Sequence, residues 1–200
     1  MLEDLTFKSL GIVNYYETLE QMRSHINEDE FKNEIWILEH PPVFTLGTAA
    51  NKKHILDSKE IPIIQSDRGG EVTYHGPGQI VIYFLLDIKR LNCGTNKLVA
   101  TIQDFVKELL LKLAIECNFK DGAPGVYVNK RKIASIGLRI STGKSYHGIS
   151  LNFDMDLSPF KQINPCGYKG LEVTQIKDLN KDISKLELHK MIIDTLRKVF

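Results

Sequence analysis

Two hundred residues are enough for one domain with a substantial core. Lys plus Arg total 26 and Asp plus Glu total 25, a net charge of +1 that argues against a general binder of nucleic acid or of membrane surfaces. The longest apolar run, residues 80–86, is closed by Asp87 and is too short to span a bilayer, and the opening Met-Leu-Glu-Asp-Leu-Thr-Phe-Lys does not read as a signal peptide, so the cytoplasm is the expected location.

In chain order, residues 14–27 read as a helix, with Tyr15, Leu19, Met22 and Ile26 at spacings of three and four. Residues 34–40 read as a strand ended by Pro41-Pro42, and residues 43–46 as a second, closed by Gly47. His40, at that strand end, fits either a site residue or a hydrogen-bonded structural histidine. Residues 61–65 form a further short strand. It leads into Arg68-Gly69-Gly70-Glu71-Val72-Thr73-Tyr74-His75-Gly76-Pro77-Gly78-Gln79, four glycines interleaved with polar groups. Glycine permits close backbone approach to a ligand, so this loop reads as a hairpin or as the floor of a binding site. It is neither a P-loop nor a dinucleotide fingerprint, so phosphate is not the expected ligand. Residues 80–86 read as a central strand, apolar on both faces.

Residues 95–117 carry the strongest helical pattern, with Leu98, Ile102, Phe105, Leu109 and Leu113 in one stripe and Thr95 as the expected N-cap. Cys117 continues that stripe and reads as a buried, inert thiol; Cys93 lies in the preceding turn. Residues 125–141 read as a hairpin turning at Asn129-Lys130, and residues 146–155 as a further strand. An irregular segment around Pro159 and Pro165 follows, and residues 184–200 close the chain as a helix with Leu188, Ile192, Leu196 and Val199 inward. Hairpins with few, segregated helices imply an α+β fold with a mixed, largely antiparallel sheet in a single domain, residues 1–200.

Three cysteines without framework spacing predict no disulfide scaffold, and no Cys-x-x-Cys or His-Glu-x-x-His occurs, so neither metal nor cofactor is expected. Cys166 differs from the other two. It sits between Pro165 and Gly167 in a loop, where a thiol is open to reaction and its backbone is held, so it is the candidate nucleophile. On composition alone, Lys130-Arg131-Lys132 reads as three solvated cations.

The 68–79 stretch resembles the signature of the octanoyltransferases of lipoate biosynthesis. Further matches follow in that family's order: Glu39-His40-Pro41-Pro42, Thr45-Leu46-Gly47, Ala123 to Val128, Lys132 to Arg139, Tyr146-His147-Gly148, Leu151-Asn152, Met155-Asp156-Leu157 and Asn164-Pro165-Cys166-Gly167. The resemblance covers the chain from about residue 11 to 180, and together the motifs are far more specific than any one alone. The resemblance implies the α/β sandwich of the biotin and lipoate ligase catalytic domains. It implies transfer of an octanoyl group from octanoyl-acyl carrier protein to a lysine of lipoyl domains, those of 2-oxoacid dehydrogenase E2 subunits and of the glycine cleavage H protein. It places the nucleophile, acylated as a thioester, on Cys166 and its partner on Lys132. It places the acyl-binding segments on Arg68, Gly69, Gly70, Glu71, Val72, Thr73, Tyr74 and His75, on Ser135, Ile136 and Gly137, and on Gly148, Ile149 and Ser150.

The chemistry of these residue types agrees. A free thiol titrates near 8.5, and a neighbouring ammonium favours its thiolate. Lys132 can supply that charge, or act as a base, although it lies 34 residues from Cys166. Acyl transfer also needs oxyanion donors, for which the amides near Gly76, Gly78 or Gly167 are candidates, and an apolar slot, which Val72 and Ile136 can wall. An ATP-dependent lipoate or octanoate ligase of the same fold is the alternative enzyme, and a non-catalytic lipoyl-domain binder is the alternative of another class.

Overall fold

The computed structural model describes residues 5–91, 93–120 and 123–200, apart from the side chain of Cys166. The chain opens with a strand that sequence reading missed, β1 (Thr6–Ile12), and then enters α1 (Tyr15–Ile26). Asn14 caps α1 by accepting from the amides of Tyr16 and Glu17. Tyr15, Leu19, Met22 and Ile26 are buried, as their spacing predicts. β2 (Glu34–Glu39) returns parallel to β1, which requires a crossover, and α1 supplies it.

β3 (Val43–Leu46), β4 (Ile63–Gln65) and β5 (Val72–His75) form a separate three-stranded sheet in the order β4-β3-β5. The glycine-rich stretch is therefore not all loop: its middle is a strand. β6 (Gln79–Leu85) lies inside a six-stranded sheet completed by β7 (Gly125–Val128), β8 (Arg131–Ser141) and β9 (Lys144–Asn152). The order is β1-β2-β6-β9-β8-β7, antiparallel throughout except for β1-β2, so the expected mixed, largely antiparallel sheet is present.

Both faces of this sheet are covered. Ile35 and Ile37 of β2 and Ile82 and Phe84 of β6 face one core with Leu98, Ile102, Phe105, Leu188 and Ile192. Those last residues come from α2 (Thr95–Lys112) and from the C-terminal helix. Trp36, Leu38, Val81, Tyr83 and Leu85 face the opposite way, against α1. Burial on both sides explains the unbroken apolar run of β6. A third cluster, with Phe44, Val72, Tyr74 and Phe160, fills the small sheet.

α2 begins one residue earlier than the pattern implies: Gly94 is its N-cap and Thr95 its first residue. It also stops at Lys112, because Ala114 turns left-handed (φ 57°) and breaks the helix. Cys117 is therefore half-buried on the chain beyond the helix, packed against the core, with its thiol pushed up by burial. A short helix, α3 (Ile176–Leu179), precedes α4 (Lys185–Val199), which a Ser184–Glu187 capping box starts.

Candidate active site

A cavity of about 310 Å³ opens between the glycine-rich segment and the large sheet, within the size range of small-molecule sites. One wall is residues 68–73 and His75; the facing walls are residues 135–138 of β8, 147–150 of β9, and Val81 and Tyr83 of β6. The three expected acyl-binding segments, separate in sequence, are thus brought together, with one exception. Tyr74 does not line the cavity. Side chains alternate along a strand, so Thr73 and His75 face the cavity while Tyr74 points into the third cluster, against Phe44 and Phe160. Val72 and Ile136 both line the cavity, as expected of apolar walls.

Arg68 holds the glycine-rich backbone in place. Its guanidinium donates to the carbonyls of Thr45 (2.7 Å), Glu71 (2.7 Å) and Gly69 (3.0 Å), and to Thr45 Oγ1. Gly47 lies so close beneath that a Cβ there would fall 2.1 Å from the Gly70 carbonyl oxygen, which only glycine avoids.

Behind the cavity sits a network of buried rings in defined tautomers. His40 Nδ1 is 2.7 Å from the Val13 carbonyl, an acceptor only, so Nδ1 carries the proton and Nε2 accepts from Tyr83 Oη at 2.7 Å. Burial pushes this imidazole down to about 4, against the pull of its Val13 bond. His40 is thus a structural histidine that braces a cavity residue. His75 Nδ1 donates to Gln79 Oε1 (2.7 Å), because the Gln79 amide nitrogen already donates to Tyr74 O and Asn152 Oδ1. Asp67 accepts from Tyr146 Oη (2.7 Å), His147 Nε2 (2.8 Å) and Arg23 Nη2 (3.0 Å). Burial alone would raise this carboxyl, but these hydrogen bonds outweigh it and hold it well below the usual carboxylate range. Sequence reading gave Asp67 and His147 no role. Only the fold joins α1, the residue before Arg68 and β9.

Lys132, read from composition as a solvated cation, is 2% exposed, whereas Lys130 is exposed. Its stem lies against the Gly125 backbone, and Nζ donates to the Pro124 carbonyl (2.9 Å) at the cavity edge, 5.4 Å from the Tyr127 ring centroid. The Lys132 amide donates to Glu172 O and its carbonyl accepts from Thr174 N, both at 2.9 Å. This stitches β8 to the segment that follows Cys166. The Cys166 backbone lies in a 3₁₀ turn, Pro165–Gly167; the position of its thiol lies outside the described residues. Gly167 packs beside Glu71, and Tyr168 lines the cavity. Two of the proposed oxyanion amides are already engaged: Gly78 donates to Glu39 Oε2 and Gly167 to Asn164 O. Gly76 and Gly78 are not among the lining residues.

Comparison with known proteins agrees with this geometry. The family model described as the lipoyl protein ligase A/B catalytic domain matches residues 14–197. The chain is 55% identical over 175 residues to an octanoyltransferase of Dechloromonas aromatica, covering 86% of this chain and 85% of that protein. It is 50% identical over 182 residues to one of Marinomonas sp., covering 90% and 85%. Among solved structures it resembles lipoate-protein ligase A bound with ATP (TM-score 0.72, 15% identity, covering 100% of this chain and 85% of that one). It also resembles a biotin protein ligase of Aquifex aeolicus (TM-score 0.55, 16% identity, covering 99% and 70%). At those identities the likeness is one of fold, and the fold is the ligase-type sandwich expected from the motifs. The chain therefore belongs to the lipoyl protein ligase A/B catalytic-domain family and, within it, to the octanoyltransferases.

Proposed function

We propose that this single catalytic unit takes octanoyl from octanoyl-acyl carrier protein onto Cys166 and passes it to a lysine of lipoyl domains, on 2-oxoacid dehydrogenase E2 subunits and the glycine cleavage H protein, in the cytoplasm. The observation that carries the reading is the cavity. Val72, Val81, Ile136 and Ile149 are among the residues lining a slot that takes in Pro124, beside Lys132, and Glu71, beside the turn that bears Cys166. The segments at residues 68–73 with His75, 135–137 and 148–150 hold the chain, and Tyr74 supports them from behind.

In the first half-reaction the Cys166 thiol gives its proton to Lys132 and its sulfur attacks the donor carbonyl. The bond from that carbonyl to the carrier sulfur breaks, and the departing thiolate takes the proton back. In the second, the amine of the acceptor lysine attacks the new thioester. A C–N bond forms, the bond to Cys166 breaks, and the proton shed by the nitrogen passes through Lys132 to the cysteine sulfur. No nucleotide is consumed, because the donor thioester is already activated. Intact mass after incubation with octanoyl-acyl carrier protein tests this. One octanoyl adduct, labile to hydroxylamine and absent from Cys166→Ala, is expected. An adduct that persists in Cys166→Ala, or transfer that strictly requires ATP and Mg²⁺, would overturn it.

A further inference from the structure

The pairing of β8 with β9 breaks off before Lys132. Ala134 faces Leu151 of β9, so in the same register Lys132 would face Phe153. It does not, because β9 turns away after Asn152, where the amides of Phe153 and Asp154 both donate to Gly78 O. The chain at residues 172–174 takes that place beside β8. Val173 pairs in parallel with Lys132, whose amide donates to Glu172 O and whose carbonyl accepts from Thr174 N. Lys132 is thus held between Tyr127 of β7 and a segment that starts six residues after Cys166.

Asn152 stands in this fork, 4% exposed. Its Nδ2 donates to Thr174 O (3.0 Å) and its Oδ1 accepts from Gln79 Nε2 (2.9 Å). A carbonyl only accepts, so the amide has one orientation available to it. The same logic runs back along a line of buried side chains. Gln79 Nε2 also donates to Tyr74 O, so Gln79 Oε1 faces the Nδ1–H of His75 (2.7 Å). His75 Nε2 then accepts from Thr45 Oγ1 (3.4 Å), which itself accepts from the Arg68 guanidinium. The line points one way, from the cavity wall to Thr174, and each bond polarises the next. Asn152 is not among the residues lining the cavity, so what it governs is the placement of Thr174 and, through it, of Lys132.

We propose that Asn152 is a positioning residue for acyl transfer: by fixing the Thr174 carbonyl it keys the segment after Cys166 into its place beside Lys132, and so sets how cysteine and lysine approach each other. Without it that segment shifts against β8 while the acyl cavity keeps its shape. This rests on the reading that Lys132 and Cys166 act together.

The test uses Asn152→Leu, similar in size and without the hydrogen bonds, and Asn152→Ala in case leucine does not fit. The control is Ser145→Ala, at the other end of β9, which loses a buried donor to Phe84 O and an acceptor for Leu86 N. Single-turnover acylation is measured against the concentration of octanoyl-acyl carrier protein, and the iodoacetamide alkylation rate of Cys166 against pH, in variants shown by urea titration to be folded. In the Asn152 variants the saturating rate should fall about ten- to a hundredfold, the scale of a displacement of up to about 1 Å, with KM within about twofold of wild type. The alkylation midpoint should move upward, in the direction of Lys132→Met, by up to about one unit. Ser145→Ala should lose stability and change neither. A saturating rate within about threefold of wild type with an unmoved midpoint, or an equal loss in Ser145→Ala, overturns the positioning role while the dyad stands. An alkylation profile and acylation rate unmoved in Lys132→Met overturn the dyad and the positioning role with it.

Discussion

Replacing Lys132 separates a catalytic lysine from a structural one, provided the variant is chosen from its surroundings. The side chain is 2% exposed and donates to Pro124 O at 2.9 Å. Lys132→Ala removes three buried methylenes, at about 0.8 kcal/mol each. It also removes a charged hydrogen bond worth about 1.5–3 kcal/mol. The sum, about 4–5 kcal/mol, is a large share of the ~5–15 kcal/mol that holds a domain together, so lost activity in that variant is ambiguous. Lys132→Met keeps the stem and loses only the ammonium, at about 2 kcal/mol, and should stay folded. If Lys132 shuttles the proton, single-turnover acylation and transfer should both slow by roughly 10²–10⁴. The iodoacetamide alkylation profile of Cys166 should also move. Removing a neighbouring cation disfavours the thiolate, so the midpoint shifts to higher pH, by about one to three units. Lys132→Arg keeps the charge but not the base. It should restore little, because the Gly125 backbone lies against the lysine stem and leaves no room for a guanidinium. Lys130→Ala, on the exposed turn, is the control. Both half-reactions and the alkylation profile unchanged in folded Lys132→Met would refute the dyad.

Gly125→Ala tests the same lysine from the backbone side. Its Cβ would lie 2.3 Å from Lys132 Cε and 2.6 Å from Ala134 O at φ 151°, so single-turnover acylation should fall at least about tenfold with a stability loss above about 1 kcal/mol by urea titration. Asp67→Asn should cost about 2 kcal/mol at pH 7, since three donors lose their charged acceptor. The Asp67 carboxyl is depressed in the folded state, so its contribution is full above the unfolded value near 3.9 and is lost as pH falls through the folded one. The gap between wild type and variant in denaturant midpoints should therefore narrow below pH 4. Tyr74→Phe should leave octanoyl transfer within about twofold, because its ring faces Phe44 and Phe160 rather than the cavity; a tenfold loss would return Tyr74 to the site.

Much of the architecture follows from local pattern. The 3.6-residue stripes of α1, α2 and α4 and the doubly apolar β6 are visible because burial imposes a period, and each element forms where that period runs. The ordered motifs identify the family, and residues 68–73, 135–137 and 148–150 do line one cavity. Other features have no local signature. β1 alternates weakly because much of its surface is exposed at the sheet edge. Tyr74 sits inside a matched motif, yet the pleat turns it away. Lys132 reads as a surface cation until β8 is paired with β7 and with the chain at Val173, which buries it beside Pro124. Asp67 and His147 are 80 residues apart, and only the crossing of the glycine-rich segment over β9 makes them a pair. Spacing in sequence reports which face of one element is buried; which elements meet across the cavity, and so which polar groups pair there, is decided by long-range packing alone.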